Sequence, residues 1–162
     1  MRALVVTVST RAAAGVYEDR SGPVLVAGLR EMGADVDGPT VVPDGPEVES
    51  ALRGAVEAGY DVAVTTGGTG LNPNDQTPEM TQRVVEAEVP GLAEAIRAHG
   101  RSNGVPTASL SRGIAGRAGR TLIVNLPGST GGVRDGLSVL QPVLVHAVDQ
   151  IAGGDHPRSG AA

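Results

Sequence analysis

The stretch Asp61-Val62-Ala63-Val64-Thr65-Thr66-Gly67-Gly68-Thr69-Gly70-Leu71-Asn72-Pro73-Asn74-Asp75-Gln76-Thr77-Pro78-Glu79 decides the fold class. Its first six residues form a short apolar run rich in β-branched side chains, the pattern of a buried strand. A glycine-rich loop, Gly67 to Asn74, follows. Thr77-Pro78-Glu79 then opens a helix, with Thr77 as N-cap and Pro78 at the first helical position. Strand, glycine loop and helix in that order are one half of a parallel α/β unit.

The same alternation extends outward. Residues 3–8 are Val-rich and read as a first strand. Pro23 to Met32 is a helix ending at Gly33, and Val36 to Val42 is a second strand stopped by Pro43. Pro46 to Ala58 carries Val48, Ala51, Leu52, Ala55 and Val56 on one helical face. Beyond the central stretch, the helix opened at Thr77 is expected to run to about Glu88. Leu92 to His99 reads as a further short helix and Thr107 to Leu110 as a strand. An Arg- and Gly-rich link leads to a strand at Thr121 to Leu126, and helices follow at Val133 to Leu140 and Val143 to Ile151. The expectation is a single α/β domain over 1–152, a mostly parallel central sheet between two helical layers. A disordered tail is expected over 153–162.

In such sheets ligands bind at the carboxyl ends of the strands. Two glycine-rich loops follow two predicted strands there. Gly67, Gly68, Thr69 and Gly70 form the first, where converging N–H groups either make tight turns or hold phosphate oxygens. Pro127-Gly128-Ser129-Thr130-Gly131-Gly132 is the second, where Ser129 or Thr130 either caps the next helix or binds an anion. Asp44 follows the second strand; it either caps the helix near Pro46 or projects into the cleft. In the second case Asp44 and Asp75 would make a carboxylate pair able to share Mg²⁺.

Composition narrows the chemistry. The 162 residues include no Cys, Trp, Phe or Lys, so all 13 basic residues are Arg. That excludes thiolate metal sites, cysteine nucleophiles, Schiff-base lysines and a Lys-bearing P-loop. Tyr17 and Tyr60 are the only aromatic residues, too few for a base-stacking platform. Net charge is −5, which argues against nucleic-acid binding. No apolar run reaches the roughly 20 residues of a membrane span, and cytoplasm is the expected compartment. The charge is uneven. Ala95 to Arg134 holds six Arg (97, 101, 112, 117, 120 and 134) and no Asp or Glu. This segment is either an anion site or a solvated or subunit-facing surface.

Thr65 to Glu79, Leu110 to Gly132, Ser9-Thr10-Arg11, Gly15 to Asp19, Ser21-Gly22-Pro23 and Val42-Pro43-Asp44 together resemble the signatures of the MogA/MoaB family of molybdenum-cofactor biosynthesis. The resemblance covers residues 2–152 and is closest to the Mog branch. It implies a three-layer α/β/α fold, a homotrimer, and a Mg²⁺-dependent transfer of AMP from ATP to the phosphate of molybdopterin. Pyrophosphate is released, and the product passes to a MoeA-type molybdenum insertase. By motif, the resemblance assigns Asp44 and Asp75 to the metal and the transfer step. It assigns Gly67, Gly68, Thr69, Gly70, Thr77, Ser111, Arg112, Pro127, Gly128, Ser129 and Asp135 to binding the pterin and nucleotide. The chain departs from the family pattern twice. Asn74 stands where Arg usually precedes the loop Asp, and Thr130 replaces the Pro of L-P-G-x-P. Two other readings remain: a non-catalytic molybdopterin-binding scaffold, which Asn74 favours, and a nucleotide-binding α/β domain with another substrate.

Overall fold

The computed structural model describes residues 1–154, so the expected tail lies outside the described residues apart from Gly153 and Gly154. Six strands form one sheet: β1 (Arg2–Val8), β2 (Asp35–Val42), β3 (Val62–Thr66), β4 (Ala87–Glu88), β5 (Ala115–Ala118) and β6 (Thr121–Leu126). Their spatial order is β2-β1-β3-β6-β5-β4. β2, β1, β3 and β6 run parallel, while β5 and β4 pair antiparallel at one edge.

Alternation along the central strands builds the layers, because successive strand side chains point to opposite faces. Val5, Val64, Leu122 and Val124 face one way and pack with Leu25, Leu29, Ile96, Val133, Leu137 and Leu140. These belong to α2 (Ser21–Glu31), α5 (Pro90–Ser102) and α6 (Thr130–Leu140). Val6, Ala63 and Ile123 face the other way and pack with Val48, Leu52, Ala55 and Met80. These come from α3 (Pro46–Glu57) and α4 (Thr77–Gln82). The expected α/β fold, helices on both faces of a mostly parallel sheet, is therefore present. A one-turn helix α1 (Thr10–Ala13) precedes α2, and α7 (Leu144–Ile151) closes the described chain. Among the described residues no helix is long and apolar enough to cross a membrane.

Several local expectations differ from the structure. The helix opened at Thr77 ends at Gln82, and Ala87–Glu88 is the edge strand β4. Thr77 is the first helical residue of α4; Gln76 holds the cap position and makes no side-chain cap bond. The short helix expected over 92–99 extends over Pro90–Ser102. Thr107 to Leu110 belongs to a 3-10 helix, Pro106–Leu110, and pairs with no strand. The strand lies in the Arg/Gly link instead. Ala115–Ala118 folds back on Thr121–Leu126 as a hairpin, with Gly119 in the left-handed region at φ +54°. Hairpin pairing supplied by β6 outweighs the weak strand propensity of Gly and Ala.

Candidate functional site

β3 and β6 are neighbours in register, Thr66 beside Leu126. Their two glycine loops therefore leave the sheet side by side. The Gly67 N–H donates to the Leu126 carbonyl at 3.1 Å, and the Thr66 hydroxyl donates to the Pro127 carbonyl at 2.8 Å. Beneath them, Asn125 ties the strand ends to α4: its amide donates to the Thr65 and Thr81 hydroxyls at 3.0 and 2.9 Å.

The loops form one side of a cavity of about 820 Å³. Such a volume is in the range of small-molecule sites. Gly68, Thr69, Gly70, Asp75, Ser111, Pro127, Gly128, Ser129 and Asp135, all expected at the site, lie on its wall. α5 supplies the opposite wall through Ile96, Arg97 and Gly100. These α5 residues were not anticipated as lining; Arg97, the first member of the acid-free segment, was the available signal. A smaller recess of about 300 Å³ adjoins the first, and Leu71 and Asp75 line both.

The carboxylates are brought together. Asp44 does not cap α3, whose cap position is Gly45. Its Oδ1 instead accepts the Gln76 N–H at 3.0 Å. The Asp75 Oδ2 accepts the Gly70 N–H at 3.0 Å. Burial pushes the Asp44 carboxyl above the usual carboxylate range; the Gln76 N–H opposes that shift and the nearby Asp75 charge adds to it. Two carboxylates that repel each other in a partly buried site favour a cation between them. Among the described residues no cluster of three or more acidic, His or Cys side chains forms a metal site. The Thr77 side chain is fully buried near Asp44, and its hydroxyl has no hydrogen-bond partner among the described residues.

The backbone N–H groups divide clearly. Those of Gly67 and Gly70 are taken by Leu126 and Asp75. Those of Gly68 and Thr69 have no acceptor among the described residues. In the second loop Ser129 caps α6, its Oγ accepting the Gly132 N–H at 3.0 Å. A capping serine still has its own proton to donate. Among the described residues, the N–H groups of Gly128, Ser129 and Gly131 have no acceptor at the start of this eleven-residue helix, on the cavity wall. α4 has only six residues, so few aligned dipoles stand behind Thr77.

The arginines do not form one anion patch. Arg112 is bound into the protein. Its backbone N–H donates to the Thr69 carbonyl, its Nε to the Gly70 carbonyl at 2.8 Å and its Nη2 to the Asp75 carbonyl at 2.7 Å. Its Nη1 donates to the Glu79 carboxylate. Burial pushes Glu79 upward, but the Arg112 contact and Glu79's own backbone N–H together outweigh it, and the carboxyl sits below its usual range. Arg112 is thus a clamp on the first loop. Arg117 pairs with Glu86, opposite Leu122 at the start of β6, and so lies at the far end of the sheet from the loops. Arg97 donates to the Ser111 and Gly113 carbonyls. Arg134 is exposed on the cavity wall and makes no side-chain contact among the described residues. Asp135 accepts from Asn103 Nδ2 at 2.6 Å, with His99 Nε2 at 3.9 Å.

Arg112→Ala is expected to lower stability by about 2 kcal/mol, or roughly 4–8 °C in Tm. Arg112→Lys should recover less than half of that, because one ammonium cannot serve three divergent acceptors. Thermal denaturation of the two variants checks both.

The domain family described as probable molybdopterin binding domain matches residues 4–146, which include both loops and both carboxylates. A solved structure of MogA is 56% identical, covers 93% of this chain and 99% of its own, and superposes with a TM-score of 0.91. The Mog protein of Mycobacterium ulcerans is 53% identical, with coverages of 92% and 97% and a TM-score of 0.87. The molybdopterin adenylyltransferase of Helicobacter pylori is 36% identical over 156 residues, 92% of this chain and 86% of its own length. The molybdenum cofactor biosynthesis bifunctional protein of Synechococcus elongatus is 41% identical over 155 residues, 95% of this chain. This chain spans about half the length of that relative and of its Chlorobaculum tepidum counterpart, 48% and 50%. With the fold, the paired loops and the extent of these matches together, the chain belongs to the molybdopterin-binding domain family that includes the MogA and MoaB structures.

Proposed function

We propose that this protein is a molybdopterin adenylyltransferase, transferring AMP from ATP to the terminal phosphate of molybdopterin. The observation that carries the reading is the position of Asp75 on the wall of both adjoining cavities. Two substrates seated in neighbouring spaces would meet at that carboxylate. The Helicobacter pylori relative, named a molybdopterin adenylyltransferase, supports the same reaction.

A phosphate oxygen of molybdopterin attacks the α-phosphorus of ATP in line. One P–O bond forms, the bond to the β-phosphate breaks, and pyrophosphate leaves. The attacking phosphate is already an anion, so no general base is needed. The protein's task is positioning and charge stabilisation. The unpaired N–H groups of Gly68 and Thr69, and those of Gly128, Ser129 and Gly131, are the donors for phosphate oxygens. Arg134 is the uncommitted cation on the wall; Arg112 acts indirectly, by holding the loop.

The residues fit a Mg²⁺ ion held by Asp44 and Asp75. Both are hard oxygen donors, and the repulsion of the Asp75 charge on the partly buried Asp44 carboxyl favours a divalent cation there. When bound, Mg²⁺ would neutralise polyphosphate charge. A homotrimer, a cytoplasmic setting and delivery of the product to a MoeA-type insertase complete the proposal.

Asn74 supports a second reading, a molybdopterin-binding scaffold without catalysis. Its N–H donates to the Asn72 Oδ1, and it places no positive charge beside Asp75. Mixing the protein with molybdopterin, ATP and Mg²⁺ separates the two. Adenylylated pterin with an equal yield of pyrophosphate is the expected result. Pterin binding without pyrophosphate would establish the scaffold, and no pterin affinity would overturn both readings.

A further inference from the structure

We propose that Arg97 supplies a fixed positive charge to a substrate phosphate bound in the larger cavity. The inference rests on the adenylyltransferase reading of that cavity.

Three arginines are partly buried among the described residues: Arg97, Arg112 and Arg117. Arg112 pairs with Glu79 and Arg117 with Glu86. Arg97 has no carboxylate partner among the described residues; its Nη1 donates to the Ser111 and Gly113 carbonyls at 3.3 and 2.9 Å. Those two bonds fix the guanidinium without cancelling its charge. Its Nε and Nη2 have no acceptor among the described residues. A charge drawn partly out of water without a counter-ion is unfavourable, and an incoming anion relieves it. Arg101, Arg120 and Arg134 also lack carboxylate partners among the described residues, but they are exposed and water solvates them.

Position favours a phosphate as that anion. Arg97 belongs to the wall that α5 supplies opposite the loops. The segment it grips is bonded to both loop-bearing regions. The Arg112 N–H donates to the Thr69 carbonyl at 2.8 Å, and the Asn125 N–H, near the end of β6, donates to the Ile114 carbonyl at 2.9 Å. Thr69, Gly128 and Ser129 bring N–H groups without acceptors to the same cavity. Hard oxygens satisfy both kinds of donor, and the planar edge of Nε and Nη2 matches two oxygens of one phosphate. Arg134 has no such anchor, so it gives up more side-chain freedom on binding.

The phosphate belongs either to molybdopterin or to ATP, and titration calorimetry on the full chain tells them apart. The probes are molybdopterin and α,β-methylene-ATP with Mg²⁺, each beside its phosphate-free counterpart, dephospho-molybdopterin and adenosine. Arg97→Gln is expected to weaken one phosphorylated probe on the order of ten- to a hundredfold and to leave its counterpart unchanged. Arg97→Lys, which keeps the charge but not the fork, should recover part of the loss. The probe affected identifies the source. Equal weakening of a probe and its counterpart would overturn the proposal, since Arg97 would then only shape the wall. Wild-type affinity of Arg97→Gln for both phosphorylated probes would overturn it too, while the adenylyltransferase reading stands. If Arg97→Gln does not fold, the Arg97 Nε–H resonance of the wild type decides. It should shift with a phosphorylated probe and not with the counterpart; no shift with either probe overturns the proposal. If the wild type binds neither phosphorylated probe, the adenylyltransferase reading fails and this proposal with it.

Discussion

The Asp75→Asn variant is expected to release pyrophosphate on the order of a hundred- to a thousandfold more slowly than wild type, while molybdopterin affinity changes little. Asparagine keeps an oxygen for the Gly70 N–H, which Asp75 now accepts at 3.0 Å. The Arg112 clamp grips the Asp75 carbonyl, which the substitution does not touch. Loop geometry is therefore conserved and only the charge is removed. That charge matters at the transfer step, where it would hold the cation that offsets the polyphosphate. A pyrophosphate-release assay, with calorimetric pterin binding in parallel, measures the two effects. Wild-type turnover would remove Asp75 from the chemistry; lost pterin binding would mean it holds substrate instead.

Gly67→Ala is expected to cost about 3–5 kcal/mol, enough to lower Tm by roughly 6–20 °C. Gly67 has φ +102°, and an added Cβ would stand 2.2 Å from the Val8 carbonyl oxygen. That atom is backbone at the end of β1, so it cannot swing aside. Relief requires parting β1 from β3 or pushing the first loop into the second, whose Gly128 already approaches Gly67 closely. Gly15→Ala is the control. Gly15 is also left-handed, at φ +74°, but nothing lies within 4 Å of its Cβ position. Its cost should be about 1 kcal/mol, the backbone preference alone. Circular dichroism melts of both variants compare them; equal losses would assign the whole effect at Gly67 to φ and none to the clash.

The local signals that could be read were of two kinds. Short, nearly continuous apolar runs rich in β-branched side chains marked Arg2–Val8, Val62–Thr66 and Thr121–Leu126, because a strand buried on both faces needs apolar side chains on both. Helical spacing with Pro starts and Gly stops marked Ser21–Glu31 and Pro46–Glu57. Where neighbours decided, the reading failed. Thr107–Leu110 has a strand-like composition but meets no strand, whereas Ala115–Ala118 has little propensity and pairs on both sides.

The site shows the same division. Asp44, Asp75 and the two glycine loops were legible, since the residue types at strand ends carry the chemistry and the motifs are local in sequence. Their arrangement was not. Asp44 faces Gln76, 32 positions away, and so belongs to the first loop and not to the cap of its own helix. Six arginines in an acid-free run left open either an anion site or a solvated or subunit-facing surface. The fold sends Arg117 to the far end of the sheet and spends Arg112 on the loop backbone. Of the six, it leaves Arg134 as the uncommitted cation on the cavity wall.

The absence of Lys, Cys, Phe and Trp by itself determined which groups are available: arginine, hydroxyls, carboxylates and backbone N–H. The strand and loop pattern determined that these gather at the carboxyl edge of an α/β sheet. Only the tertiary structure decided which groups are free. A donor or charge acts on a ligand only when no protein partner has taken it, and those partners lie tens of residues away. It is the adjacency of β3 and β6 that sets the two loops side by side, with the N–H groups of Gly68, Thr69, Gly128, Ser129 and Gly131 free of acceptors among the described residues.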